Sequence, residues 1–374
     1  MSLFEDPAFA PAPPRRRLPR ATVAGIWALV VALVALLGMS FLPSPYVIER
    51  PGPVYNTLGD ITDPDGESLP LISVDGADTY PTGGSLDLLT VQVVGSPEHR
   101  LSWVDVALAW FDPTKAVVPL EQIFAVGQTS EQRAQQNTAL MVDSQADASA
   151  AALTHLGYDV SPQLIVAGVA EGSAATGVLE QDDVILAANG TPVTRVEDLR
   201  VIINEGEGQP VSFLIDRDGV EQTVTATPQL GTGEAAGLWQ VGISLSVAYD
   251  FPFDVEVQLN NVGGPSAGMM FALGMIDVLT PGELNGGQQV AGTGTITADG
   301  TVGPIGGIRQ KLWGAQDAGA DYFLAPERNC DEVVGHVPDG LQVISVATLD
   351  DAVSALDTIA DGGDVASLPT CVAS

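Results

Sequence analysis

The 374-residue sequence predicts a multidomain α+β protein behind a single N-terminal transmembrane helix. Three observations carry that expectation. Ala21 to Leu42 contains no charged residue. Within residues 161–228, Val211–Ile215 and Gln222–Ala226 alternate as strands around Asp218-Gly219, with a further turn at Asn189-Gly190, the pattern of short strands joined by tight turns. The uncharged run from Ala267 to Ile276 follows a Gly-Gly-Pro-Ser turn, which reads as a buried helix entered from a strand at Asp254 to Leu259. A chain of this length accommodates two or three domains.

Residues 1–20 begin as a Pro- and Ala-rich tail and end in Arg15, Arg16, Arg17 and Arg20. Residues 21–42, at about 1.5 Å each, span a bilayer core of ~30 Å. The arginines ahead of the span place the N-terminus in the cytoplasm and the rest of the chain outside. A cleaved signal peptide is the competing reading. The run is long for one, and no clear Ala-x-Ala site follows. A single-pass protein of the cell membrane, extracytoplasmic in bulk, is therefore expected.

Residues 43–130 start on an extended course set by Pro45, Pro51 and Pro53. Leu69–Val74 and Ser85–Val94 read as strands, and Val104–Trp110 as a short amphipathic helix. No chemistry stands out, and the segment reads as a β-rich collar. Ser130–Leu156 has few breakers and is dominated by Ala and Gln, so it is helical.

Residues 131–230, helix included, form the next module. The run G-S-A-A, then L-E-Q-D-D-V-I, then N-G resembles a PDZ domain of the bacterial type. Asp182 stands where that pattern has glycine, and Asp tolerates left-handed backbone better than most residues. Val196–Ile203 is the expected helix, with Thr194 as its cap. PDZ domains grip a peptide carboxylate with backbone N–H groups and add the peptide as a strand. The resemblance offers Leu156–Val160 as that loop, with Asp159 an awkward neighbour for a carboxylate. The alternative is a PDZ domain that orients its neighbour and binds no peptide.

Residues 238–360 hold the chemistry. Ser266 sits in Gly-Gly-Pro-Ser-Ala-Gly at the start of the buried helix, where unpaired N–H groups can stabilise a negative oxygen. Pro265 suits a helix's first turn. A serine needs a base. His99, His155 and His336 lie in no motif, and the chain's two lysines are Lys115 and Lys311. Lys311 follows Gly306-Gly307 and precedes an apolar helix. Burial lowers a lysine pKa, so it can serve as a base near neutrality. The two segments, G-G-P-S-A-G-M-M-F-A-L and G-T-I-T-A-D-G-T-V-G-P-I-G-G-I-R-Q-K-L, resemble the proteolytic domain of the Lon peptidase family over about Gly242 to Ile359. The resemblance implies Ser266 as nucleophile, Lys311 as general base and Thr293 as the residue that orients the lysine. Two positions depart from the family pattern: Val262-Gly263-Gly264, where an Asp is usual, and Thr295, where a Glu is usual. Gly264 to Gly268 also fits the G-x-S-x-G elbow of α/β-hydrolases, with Asp331 and His336 as partners; that reading leaves Lys311 without a role.

With Lys+Arg at 14 against Asp+Glu at 47, the net charge of −33 argues against nucleic acid as a partner. No G-x-x-x-x-G-K-[ST] loop occurs, so no ATPase motor is expected, and the expected chemistry needs no metal or cofactor. Cys330 and Cys371 could pair outside the membrane, pinning the tail at 361–374, or stay free; spacing leaves this open. The expectation is a membrane-anchored, ATP-independent serine endopeptidase acting on extracytoplasmic or membrane polypeptides, a homo-oligomer by resemblance to Lon. A catalytically silent PDZ/Lon-like adaptor and a self-cleaving protein are the alternatives.

Overall fold

Residues 19–62, 66–231, 236–259 and 262–372 are described by the computed structural model. Arg15, Arg16 and Arg17, and Asn260 and Asn261 before the nucleophile segment, lie outside them. Helix α1 (Arg20–Phe41) has a mean hydropathy of 2.4 over its most apolar window and buries no side chain. It leads to β1 (Tyr46–Asn56), the hairpin β2 (Asp60–Thr62) and β3 (Ser68–Pro70), then β4 (Ile72–Asp75) and β5 (Ser85–Val94). Helix α2 (Trp103–Ala109), β6 (Ala116–Pro119), the single turn α3 (Leu120–Ile123) and the long α4 (Ser130–His155) follow. Next come β7 (Ser161–Val169), β8 (Val184–Ala188), β9 (Thr191–Pro192), α5 (Val196–Glu205), β10 (Val211–Arg217), β11 (Val220–Ala226), β12 (Gln229–Leu230), β13 (Trp239–Gln240) and β14 (Ile243–Asp250). The chain ends with β15 (Asp254–Val257), α6 (Gly268–Leu279), β16 (Gln289–Gly292), β17 (Thr295–Ile296), β18 (Val302–Gly303), α7 (Ile308–Asp317), β19 (Tyr322–Pro326), α8 (Cys330–Val333), β20 (Gln342–Val346) and α9 (Leu349–Ala360).

One compact unit comprises the chain up to Glu49 together with Val93–Gln128. Its small core is Val47, Leu120 and Phe124, with Val93, Val118 and Ile123 against them. The start of β1 pairs antiparallel with β6, Tyr46 opposite Pro119 and Glu49 opposite Ala116. Ser102 and Asp105 form a reciprocal capping box that starts α2.

The other unit comprises Arg50–Gln92 and the chain from Thr129 onward. Here the domain plan differs from the sequence reading, which sets 43–130 apart as a collar. Ser85–Leu88 of β5 pair in parallel with Gln289–Gly292 of β16, which pairs in parallel with β19, as β19 does with β20. Ser85 to Leu89 are all buried, as a central parallel strand requires. Likewise β4 pairs with β15, Ile72 opposite Val257. Helix α4, read as an appendage of the PDZ module, packs on α6 instead. The proteolytic fold therefore draws on residues both before and after the PDZ module.

Every residue of α6 except Val278 is buried. The apolar run is continuous because the helix is enclosed on all sides. A Cβ on Gly274 would lie 2.7 Å from both Ile72 Cδ1 and Thr57 Oγ1, so the helix approaches these neighbours closely only at a glycine.

The PDZ sheet runs β11-β10-β8-β7-β14 around Leu164, Val166, Ile185, Phe213 and Ile215. Asp182 has φ +69°, Asn189 +49° and Asp218 +53°, the left-handed turns expected of them. Neighbouring Asp183 is buried and receives Arg217 Nε at 2.6 Å and Nη2 at 2.7 Å. Two details differ from expectation. Helix α5 is capped at Arg195 without a side-chain bond, not by Thr194. Strand β14, expected to open the proteolytic domain, closes the PDZ sheet by pairing with β7 from Ile243–Val169 to Asp250–Ser161. Cys330 and Cys371 are joined, tying the chain end to α8.

Candidate active site

Segment 262–268 turns between β15 and α6. Helix α6 starts only at Gly268, with Ala267 as its N-cap, so Pro265 sits in the preceding turn and not in the helix. Helix α4 grips this turn from one side. Gly264 N–H donates to Asn137 O at 2.8 Å, and Ser144 Oγ donates to Pro265 O at 3.0 Å. Asn137, Met141, Ser144 and Ala148 are spaced i, i+4, i+7, i+11, which places them on one helix face. The fit is close. A Cβ on Gly263 would come within 2.7 Å of Asn137 Cβ, and one on Gly268 within 2.8 Å of Ser144 Oγ.

Lys311 reaches Ser266 from α7. That helix begins at Gly307, whose φ is +68° and whose Cβ position would meet Val91 Cγ2 at 2.8 Å. Only glycine permits both the left-handed turn and the close approach. Lys311 Nζ donates to Ser266 Oγ at 2.9 Å and to Thr293 Oγ1 at 2.8 Å. Thr293 Oγ1 in turn donates to Ser266 O at 2.9 Å, and Gly294 N–H reaches the same oxygen at 3.0 Å. The nucleophile's own carbonyl and hydroxyl are thus tied to one threonine and one amine. Lys311 is 2 % exposed, and loss of hydration lowers its pKa from 10.5 to about 7. A neutral amine in this position can take the Ser266 proton. His336, the elbow alternative, is exposed and its Nδ1 contacts Val334 O at 3.1 Å.

A groove of about 850 Å³ opens beside the turn, with Gly263 and Val262 in its wall. Met141, Leu259, Val257 and Leu69 line it, and among the described residues Glu256 is its single charged wall residue.

The PDZ module has its own groove, away from the expected loop. Leu156 caps α4, and the loop to Val160 feeds β7, which has β8 on one edge and β14 along the other. No edge is left there for an added strand. Among the described residues the sheet's edge strands are β11 and β14, and β14 is the one beside α5. Between it and α5 lies a cavity of about 380 Å³ lined by Leu199, Arg200, Ile203, Val241, Gly242 and Leu245 among others. Gly242 has φ +78°, and a Cβ there would lie 2.3 Å from Ser173 Cβ. Val241-Gly242-Ile243 followed by alternating Leu245 and Val247 is the sequence signal for this groove. The signal for Ser144 and Asn137 is weaker, since nothing local shows what α4 packs against.

Residues 260–358 match the Lon protease (S16) C-terminal proteolytic domain, and residues 140–227 match the PDZ domain. The chain is 40% identical over 91 residues to the Lon protease of Lachnoclostridium phytofermentans, covering 24% of this chain and 11% of that protein. It is 38% identical over 152 residues to the Lon protease of Clostridium beijerinckii, covering 34% and 19%. The chain thus spans under a fifth of the length of either relative. Among solved structures, the PDZ domain of an SdrC-like protein from Listeria monocytogenes aligns at 18% identity and a TM-score of 0.21, over 22% of this chain and 85% of that one. With the geometry above, the two family matches identify a PDZ domain followed by a Lon-type serine peptidase domain on one chain.

Proposed function

We propose that the protein is a membrane-anchored serine endopeptidase that cleaves extracytoplasmic or membrane polypeptides without ATP. The bond between Lys311 Nζ and Ser266 Oγ, inside a site that lowers the lysine pKa to about 7, carries this reading. Ser266 Oγ attacks the scissile carbonyl while Lys311 accepts its proton. The same proton then passes to the leaving amine, and Lys311 next takes one from the water that releases the acyl group. Among the described residues, no hydrogen bond is donated by the N–H groups of Ser266 or Ala267, and these fit the oxyanion. Thr293 is a positioning residue that fixes the amine. The groove of about 850 Å³ suits an extended polypeptide of low charge. A peptide C-terminus would add along β14, with backbone N–H groups near Gly242 facing its carboxylate. Helix α1 supplies the anchor, and the arginines before it set the orientation.

The test is hydrolysis of an unfolded protein by the full chain in vesicles with no nucleotide present. The Ser266→Ala variant should retain bound polypeptide and release no fragments. Fragments from that variant, or a nucleotide requirement, would overturn the reading.

Helix α4 adds a second expectation. Ser144→Ala removes the bond to Pro265 O and frees the turn, so kcat should fall about 5- to 30-fold with KM little changed, the loss of one hydrogen bond of ~1–2 kcal/mol felt at the nucleophile. Ser144→Thr, which keeps the hydroxyl, should retain more activity than Ser144→Ala. A fall in KM-linked binding with kcat intact would place Ser144 in substrate binding instead.

A further inference from the structure

We infer that α2 and the two aromatic residues after it, Trp110 and Phe111, lie in the interfacial layer of the bilayer that α1 crosses; their partner is a lipid surface. This rests on the reading of α1 as an anchor. Leu108 is 68% exposed, Trp110 61% and Phe111 88%. Among the described residues outside α1 and its cap, no other four-residue stretch puts three large apolar side chains into solvent. A soluble surface rarely carries such a cluster unless something covers it.

The fold places the cluster at the exit of α1. Pro43, two residues beyond that helix, bridges to Ser102, and Ser44 N–H donates to Leu101 O at 2.8 Å. Trp103 then packs edge-on to Tyr46 at 5.8 Å, and α2 packs against α1 itself. At about 1.5 Å per residue, α2 is ~10 Å long, so Trp110 and Phe111 stay within ~15 Å of the exit whichever way α2 points. The polar layer on each side of the hydrocarbon core is ~5–8 Å thick, and Trp is enriched there.

Charge decides the kind of lipid contact. Ser102–Thr114 contains Asp105 and Asp112 and no Lys or Arg. Asp112 is paired with Lys115 at 2.8 Å. Anionic headgroups therefore gain nothing from this segment, and attachment comes from apolar insertion, which zwitterionic lipid provides.

Because Cys330 and Cys371 are joined, a single engineered thiol can be labelled in the full chain. Phe111→Cys, Leu33→Cys in α1 and Val220→Cys on the PDZ hairpin would each carry an environment-sensitive fluorophore in phosphatidylcholine vesicles. The Phe111 label should be blue-shifted and quenched at least ~2-fold by nitroxide lipid with the radical near the headgroup; the Val220 label should be neither. Quenching at Leu33 by lipid carrying the nitroxide mid-chain, with a water-like Phe111 label, would overturn this inference and leave the anchor intact. No quenching at Leu33 by the mid-chain nitroxide would remove the anchor, and this inference with it. A blue-shifted Phe111 label that ignores the nitroxide but varies with protein density would assign the patch to a second copy and overturn the lipid assignment. A signal that appears only with phosphatidylglycerol would overturn the apolar mode.

Discussion

Lys311→Ala should lower kcat/KM for peptide hydrolysis by ~10³- to 10⁴-fold, and the wild type should gain activity about tenfold per pH unit up to pH about 7, then level off. The magnitude is that of losing the base from a nucleophile–base unit. The pH limb follows from burial. Desolvation, opposed by no carboxylate among the described residues, puts the Lys311 pKa at about 7. Only the neutral amine can accept the Ser266 proton, so the active fraction grows tenfold per unit below that value and saturates above it. Lys311→Arg separates the base from the hydrogen-bond donor. A guanidinium stays charged at all these pH values, so this variant should remain as inactive as the alanine variant. Initial rates from pH 5 to 9 with a peptide lacking titratable groups provide the measurement. An alanine variant within tenfold of wild type, or an acid optimum, would remove Lys311 from the mechanism.

Much of this site was legible in the sequence because its signals are local. Gly-Gly-Pro-Ser-Ala-Gly before an uncharged run announces a helix with no polar face, and α6 is buried accordingly. Gly306-Gly307 ahead of Lys311 marks a left-handed turn of the kind glycine favours, and Gly307 adopts it. What stayed hidden is long-range pairing. Ser85–Val94 reads as a strand, but nothing in it shows that Leu86 lies beside Val290, 204 residues later in sequence. The same holds for Ser144, a serine inside an Ala-rich helix whose function depends on which carbonyl its hydroxyl meets. The PDZ groove was misplaced for a related reason. Gly157 and Gly242 both have positive φ, and only the sheet order shows which following strand keeps a free edge.

Lys311→Met should inactivate the enzyme and also stabilise it, by ~1–4 kcal/mol at pH 7. The lysine pKa of about 7 in the folded chain, against 10.5 when solvated, is a free-energy difference of up to ~5 kcal/mol at ~1.4 per unit. Between pH 7 and 10.5 the unfolded chain holds a proton that the native state has lost. Wild-type stability from this group therefore rises with pH across that window and is lowest at and below pH 7. Methionine fills a similar volume, titrates nowhere and has no charge to desolvate. Against the gain stand two lost hydrogen bonds, to Ser266 and Thr293, at ~1 kcal/mol each. Thr293 keeps its bond to Ser266 O, which limits the loss. The variant's advantage should thus be largest at and below pH 7, fall to about zero near pH 9, where the two lost bonds offset what remains of the desolvation penalty, and become a deficit of up to ~2 kcal/mol above pH 10.5, as urea midpoints at three pH values would show. A less stable variant at pH 7, or an advantage that grows with pH, would mean that the amine is hydrated in solution. It would then hold its proton near neutrality, and Ser266 would be left without a base.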